Sequence, residues 1–381
     1  MTGPLDGIVV LDLTRALAGP HAGMMLGDLG ARVIKIESPD GDDSRGWGPP
    51  FVGSPEDGMS TYFMSCNRNK ESVVLDLKDQ DDAQLLASLV ERADVLLENY
   101  RVGVMDRLGF SVERLHELNP RLVVLSITGF GHDGPDAERP GFDQIAQGEG
   151  GLMSLTGDDE PLKVGVPIAD LVAGMNGAYG VVAALYERER TGRGRVVRTS
   201  LLAGMVSVHA FQGTRWTIAG EVPRRTGNHH AAIAPYGLFE TGTTPIQVAC
   251  GTEALWRAFA QAVGLNPADE RFASNATRVA HRHELIGQIE AIFATDPAEH
   301  WLALIDAARV PCGKVRTLDE VYEWDQTRSQ GLLVDAGGHQ LPGPPLRFDD
   351  NDYAGGREQH LHPPRRGEHD DVIRAWTTQD A

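Results

Sequence analysis

The chain has 381 residues, 41% of them hydrophobic, which is enough to bury more than one compact core. It carries 35 Lys and Arg against 54 Asp and Glu, a net charge of −19 that argues against nucleic acid or an anionic membrane as a partner. Cys66, Cys250 and Cys312 are too scattered for a disulfide framework or a zinc site, and the first residues lack the basic-then-apolar pattern of a signal peptide, so a reducing cytoplasm is expected.

In chain order, residues 7–13 (GIVVLDL) read as a buried strand, 19–30 as a short helix and 31–37 (ARVIKIE) as the next strand. Residues 38–58 are rich in Pro, Gly and Asp without periodicity, which suggests a functional loop. Further strands are expected at 72–77, 94–99 and 122–130, separated by helices at 81–93 and 111–119, the latter capped by Ser111. Strands alternating with helices predict a parallel sheet covered on both faces, an α/β fold. The run VGVPIA before Asp170 reads as a strand, and 171–192 as a long helix whose glycines and alanines permit close packing and whose C-cap is Gly192. No apolar run is read as long enough to cross a bilayer. After about residue 220 the character changes to a loop (222–237), a strand (246–250) and three helices, an α+β unit. The Pro/Gly-rich tail is expected to pack back on the first part. The expected division is therefore a large α/β domain at 1–200, a linker helix region at 201–222, a small domain at 223–312 and a return segment at 313–381.

Several segments, in order, cover nearly the whole chain: PLDGIVVLDLT, AGP at 18–20, LGARVIKIE, NRNKESVVLDLK, ADVLLENYRVGVMDRLG, GFDQIAQGEGG, VPIADLVAGMNGAYG, VPCGKVRTLDEV and GEHDDVI. This set resembles the family III CoA-transferases, the superfamily of formyl-CoA transferase, carnitine CoA-transferase and α-methylacyl-CoA racemase. The resemblance implies a doubly wound large domain built from both termini, an inserted small domain, and two chains interlocked as rings in a homodimer. It also implies CoA and acyl-CoA as substrates alongside a carboxylic acid, with no tightly bound cofactor and no metal.

On pattern alone Asp170 reads as a helix-capping carboxylate. The resemblance instead puts the nucleophile there: a carboxylate that attacks the thioester carbonyl and later carries CoA as a thioester. It likewise suggests Tyr62 and Asp143 beside the nucleophile, and oxyanion donors from the backbone at Arg15, Ala16, Leu17 and Ala18. Leu17 replaces a Gln found in many transferases. CoA contacts are implied at Leu75, Lys78, Asn99, Tyr100 and Arg107, with Arg45 and Arg101 as further phosphate candidates and Ser38 where some relatives carry Arg. In the loop RRTGNHHAAIAPYG, Arg224, Arg225, His229 and His230 are candidates for the second carboxylate of a dicarboxylic acid.

Three other functions compete. A racemase needs a histidine where this chain has Phe142, which moves no proton. A dinucleotide-dependent oxidoreductase needs a GxGxxG after the first strand, and LTRALAGPHAG lacks that spacing. A non-catalytic acyl-CoA-binding protein would need no reactive carboxylate near CoA.

Overall fold

Six short apolar runs become the strands β1 (Val9–Asp12), β2 (Arg32–Glu37), β3 (Lys70–Val74), β4 (Val95–Glu98), β5 (Val123–Thr128) and β6 (Val196–Ser200) of one all-parallel sheet, in spatial order β3-β2-β1-β4-β5-β6. The computed structural model describes residues 3–54, 58–348 and 354–378; residues 55–57 of the expected 38–58 loop, and 349–353 and 379–381 of the return segment, lie outside the described residues. β6 was not anticipated, because VVRTS holds only two apolar residues.

Successive side chains of each strand are buried on opposite faces. Val10, Val95, Leu97 and Leu125 pack with α1 (Ala18–Asp28) and α4 (Ile168–Thr191) on one face. Leu11, Ile34, Val73, Leu96 and Val124 pack with α2 (Gln80–Arg92) and the helix Asp370–Thr378 on the other. Each such side chain contributes roughly 1.5–3 kcal/mol by leaving water. α2 begins where Asp79 accepts from the amides of Asp81 and Asp82, and it buries Leu86, Leu89 and Val90 toward the sheet.

α4 corrects two expectations. No strand immediately precedes it, and it begins at Ile168, with Pro167 at the N-cap, so Asp170 lies in its first turn. The β-branched run before it mimics a strand, while proline's fixed φ suits a helix start. By length and composition α4 is also apolar enough to cross a membrane, contrary to expectation. Half of its most apolar stretch is buried within the fold.

Grouped by internal contacts, the chain forms two compact units. One comprises Met1–Leu152, Lys163–Glu221 and Trp324–Ala381; the other comprises Met153–Leu162 and Val222–Glu323. This division differs from the expected boundaries by adding Met153–Leu162 to the second unit and extending it to Glu323. The second unit has an antiparallel sheet of β7 (Tyr236–Phe239), β8 (Ile246–Ala249) and β9 (Cys312–Lys314), in order β9-β8-β7. The helices Glu253–Val263, Arg282–Phe293 and Ala298–Ala307 cover it around Trp256, Phe259, Phe293 and Trp301.

Candidate active site

The sheet winds outward from β1 in one direction and from β4 in the other, so the chain reverses between these neighbours. In such folds the crevice beyond the carboxyl ends of these strands is the ligand position. Here a cavity of about 630 Å³ opens there, lined by Arg15–Ala18 after β1, Asn99–Val102 after β4, and Tyr62, Asp143 and Asp170. All its lining residues belong to the first unit.

The turn after β1 is unusual. Ala16 has φ of 66°, the left-handed region that a residue with a Cβ rarely adopts. Asn99 accepts from the Arg15 amide at 2.9 Å and donates to the Arg15 carbonyl at 2.8 Å. Asp42 accepts from the Ala16 amide at 3.1 Å. Two of the four expected oxyanion donors, Arg15 and Ala16, are thus already engaged. The amides of Leu17 and Ala18 make no hydrogen bond among the described residues, and they stand at the N-terminus of α1.

The first turn of α4 supplies the carboxylate. The expected capping duty falls to Asp143 instead, whose Oδ1 accepts from the Ala169 amide at 2.8 Å and whose Oδ2 accepts from Gln147 at 2.8 Å. Asp143 sits at the start of α3 (Asp143–Glu149). The Asp170 carboxylate makes no hydrogen bond or ion pair among the described residues. Burial and then the charge of Asp143 push its carboxyl up to about 7. Tyr62 stands edge-on to Trp47 at 4.9 Å, and burial followed by the Asp170 charge pushes its phenol up to about 12. It therefore remains a neutral hydrogen-bond donor at physiological pH. α1 and α4 approach closely because Gly174, one turn beyond Asp170, has no side chain: a Cβ there would meet the Ala18 carbonyl oxygen at 2.5 Å.

The other expected residues divide. Tyr100 and Arg101 line the cavity, and Arg101 makes no ion pair among the described residues. Asn99 lines it too, but both its amide atoms hold the Arg15 peptide, so its side chain is a clamp rather than a free ligand contact. Leu75 is 1% exposed in the core, which removes its side chain from any ligand contact. Lys78 and Arg107 are exposed and do not line the cavity. Arg45 is committed to Glu37 in a bidentate pair at 2.6 and 2.7 Å and lies over Phe63, so it is no free phosphate contact. Ser38 donates to the Gly41 carbonyl at 3.4 Å.

In the second unit, Arg225 donates to the Asp158 and Asp159 carbonyls at 2.8 and 2.9 Å, which ties the loop to Met153–Leu162. That corrects its expected role as a free carboxylate binder. Arg224 is exposed and makes no such bond. His229 and His230 line a 510 Å³ cleft with Tyr236 and Gln247. Burial, then Arg282, lowers the pKa of both imidazoles, so they act as neutral groups near pH 7.

Sequence reading missed Arg139 and Lys163 on the cavity wall. Arg139 pairs with Glu149 at 2.8 Å and lies over Phe130, whereas Lys163 reaches only the Val164 carbonyl at 3.4 Å. Their sequence context, charged loop and Pro-rich approach, carries no signal of a shared cavity. Among the described residues no cluster of His, Cys, Asp and Glu is arranged to hold a metal.

A sequence profile for CoA-transferase family III matches residues 5–370. The chain is 40% identical over 356 residues to the acetyl-CoA:oxalate CoA-transferase of Acetobacter aceti, covering 92% of this chain and 90% of that one. It is 39% identical over 344 residues to the succinate–glutarate CoA-transferase of Agrobacterium fabrum, covering 87% and 85%. The crystal structure of a CAIB/BAIF family protein from Brucella suis superposes with a TM-score of 0.89 at 38% identity, over 99% of this chain and all of that one (100%).

Proposed function

The chain belongs to CoA-transferase family III, and from that premise we propose that it moves coenzyme A between an acyl-CoA thioester and a dicarboxylic acid through covalent intermediates on Asp170. The observation that carries this reading is the half-buried Asp170 carboxylate, without a hydrogen bond among the described residues, on the wall of a cavity that also presents the Leu17 and Ala18 amides, likewise unpaired among those residues.

Asp170 attacks the thioester carbonyl carbon, the C–S bond breaks, and CoA leaves as a thiolate. The product is a mixed anhydride of Asp170 and the donor acid. The thiolate then attacks the Asp170 acyl carbon, releasing the donor carboxylate and leaving an aspartyl-CoA thioester. An acceptor carboxylate repeats the two steps in reverse order and restores the Asp170 carboxylate. No net proton moves. The Leu17 and Ala18 amides, with the Tyr62 hydroxyl, are donors for the oxyanion of each tetrahedral step. Phe142, which lines the cavity, offers no proton for racemisation.

The attacking carboxylate must be ionised. In the free enzyme kcat/KM for acyl-CoA should therefore fall about tenfold per unit below pH 7 and level off above it. A profile flat from pH 5 to 8.5 would remove a carboxylate held near 7 from the rate.

The acid partner is tested by incubating the enzyme with a panel of acyl-CoA donors and acids and following exchange by mass spectrometry. Transfer to oxalate, succinate or glutarate well above transfer to acetate supports the dicarboxylate reading, as the activities in the names of the relatives suggest. We propose that the 224–237 loop governs which acid is accepted. Arg224→Gln should raise KM for succinate or glutarate at least tenfold and leave acetate nearly unchanged. Equal losses would make the loop a hinge.

A homodimer is part of the proposal. Tyr179 and Tyr186 on α4 are 77% and 69% exposed, and Trp216 and Ile218 on α5 (Ala210–Ala219) are 58% and 82% exposed. Apolar faces of this size are seldom left in water. Light scattering at micromolar concentration should give twice the chain mass of 41.2 kDa, and a monomer would remove this part. The three free thiols are compatible with the cytoplasmic location proposed with it.

A further inference from the structure

The six backbone polar groups of Thr14, Arg15 and Ala16 are all satisfied by side chains, and none by backbone. The Thr14 amide donates to Asp12 at 2.9 Å, and the Thr14 carbonyl accepts from Lys35 at 2.9 Å. Asn99 takes both Arg15 groups, and the Ala16 amide goes to Asp42 at 3.1 Å. The Ala16 carbonyl faces the Cys66 thiol at 3.7 Å. A loop this close to the surface is ordinarily satisfied by its own backbone or by water. Here five long-range contacts and one local bond, from Thr14 to Asp12, impose a shape that Ala16, at positive φ, would otherwise leave.

At the centre stand two fully buried groups. Lys35 and Asp42 meet at 2.9 Å with side chains 1% exposed. Asp42 Oδ1 also accepts from the Ser44 amide and hydroxyl at 3.0 and 2.8 Å, so each of its oxygens is fixed. Burial opposes the Asp42 charge, but Lys35 overrides it and holds the carboxyl at about 2, so the pair stays charged across the working pH range. Burying such a pair is weak as a source of stability and strong as a means of fixing geometry.

We propose that Asp42, clamped by Lys35, is a positioning residue for the transfer reaction: with Asn99 it holds Thr14–Ala16 in the shape that leaves the Leu17 and Ala18 amides unpaired at the cavity. The inference rests on those amides being the oxyanion donors. A preformed donor pair costs no reorganisation when charge develops, and a displaced one loses on the order of 10²–10³ in turnover.

Single removal of Asp42 would leave the Lys35 charge buried and risk the fold. The test therefore uses the neutral double variant Lys35→Met/Asp42→Ala, and separately Asn99→Ala, which touches no buried charge. Each should lose at least 100-fold in kcat while KM for acyl-CoA changes less than threefold. Adding Ala16→Gly, which adopts positive φ freely, should restore at least tenfold of the loss in the double variant. A folded variant with kcat unchanged, a rise confined to KM, or no recovery with Ala16→Gly would each overturn the proposal. Hydroxylamine trapping of acyl-Asp170 in the unaltered enzyme separates the two ideas. Failure to trap there sinks the covalent reading, whereas trapping there together with a full rate in both variants sinks only the positioning role.

Discussion

Asp170→Asn is expected to lower CoA transfer by at least ~10⁴-fold while acyl-CoA still binds, the signature of a removed covalent nucleophile. The amide keeps the shape of the side chain on the first turn of α4 but cannot form an anhydride. In the unaltered enzyme, acyl-CoA followed by hydroxylamine should convert the peptide containing Asp170 to a hydroxamate and abolish activity; without acyl-CoA neither change should occur. Near-normal transfer by Asp170→Asn would end the nucleophile assignment. The same variant has a stability signature. Burial and Asp143 raise the Asp170 carboxyl to about 7 in the fold, so the folded state favours its proton. Its contribution to stability is complete below about pH 4 and lost as pH rises through 7. Asp170→Asn should therefore be more stable than the unaltered protein at pH 8, by on the order of 2 kcal/mol once partial exposure is allowed for, with the gain vanishing near pH 4. Thermal unfolding at the two pH values measures it, and a gain that is larger at low pH would contradict the raised carboxyl.

Gly174→Ala is expected to cost at least 100-fold in kcat and about 2–3 kcal/mol in stability. The added methyl would lie 2.5 Å from the Ala18 carbonyl oxygen and 3.3 Å from His21 Cδ2. The first neighbour is backbone and cannot rotate away. α1 must then retreat from α4, which carries the Leu17 and Ala18 amides away from Asp170. Gly287→Ala is the control. It lies inside the helix Arg282–Phe293 with nothing within 4 Å of a Cβ, and it should stabilise by roughly 0.5–1 kcal/mol with kcat unchanged. Equal kinetics in the two variants would show that the α1–α4 approach does not set the donors.

The sheet was legible because its strands bury both faces and are rich in Val, Ile and Leu between helical periods; β6 escaped because VVRTS holds only two apolar residues. Of the site, Tyr62, Asp143, Asp170 and the turn after β1 were named from resemblance and do meet at one cavity. What local pattern could not convey is pairing across the chain. Lys35 within ARVIKIE reads as one polar residue of a strand, and only the fold brings Asp42 and the Thr14 carbonyl to its ammonium. Asn99 looks like a ligand-facing amide until its two bonds to Arg15, 84 residues earlier, are seen. The glycines of α4 signalled a close neighbour, but nothing near them in sequence identified it as the start of α1.

The outer edge of β3 is finished by distant chain. The Gly367 amide donates to the Ser72 hydroxyl at 3.0 Å, the His369 amide to the Ser72 carbonyl at 2.9 Å, and the Val74 amide to Asp370 at 2.8 Å, while Ile373 is wholly buried beneath the sheet. During synthesis on the ribosome, residues through Glu323 complete the second unit while the first still lacks this segment. The nested unit can mature first, and the larger one waits with an open strand edge, a template for pairing with other nascent chains. A chain truncated before residue 367 lacks these contacts and would leave that edge open.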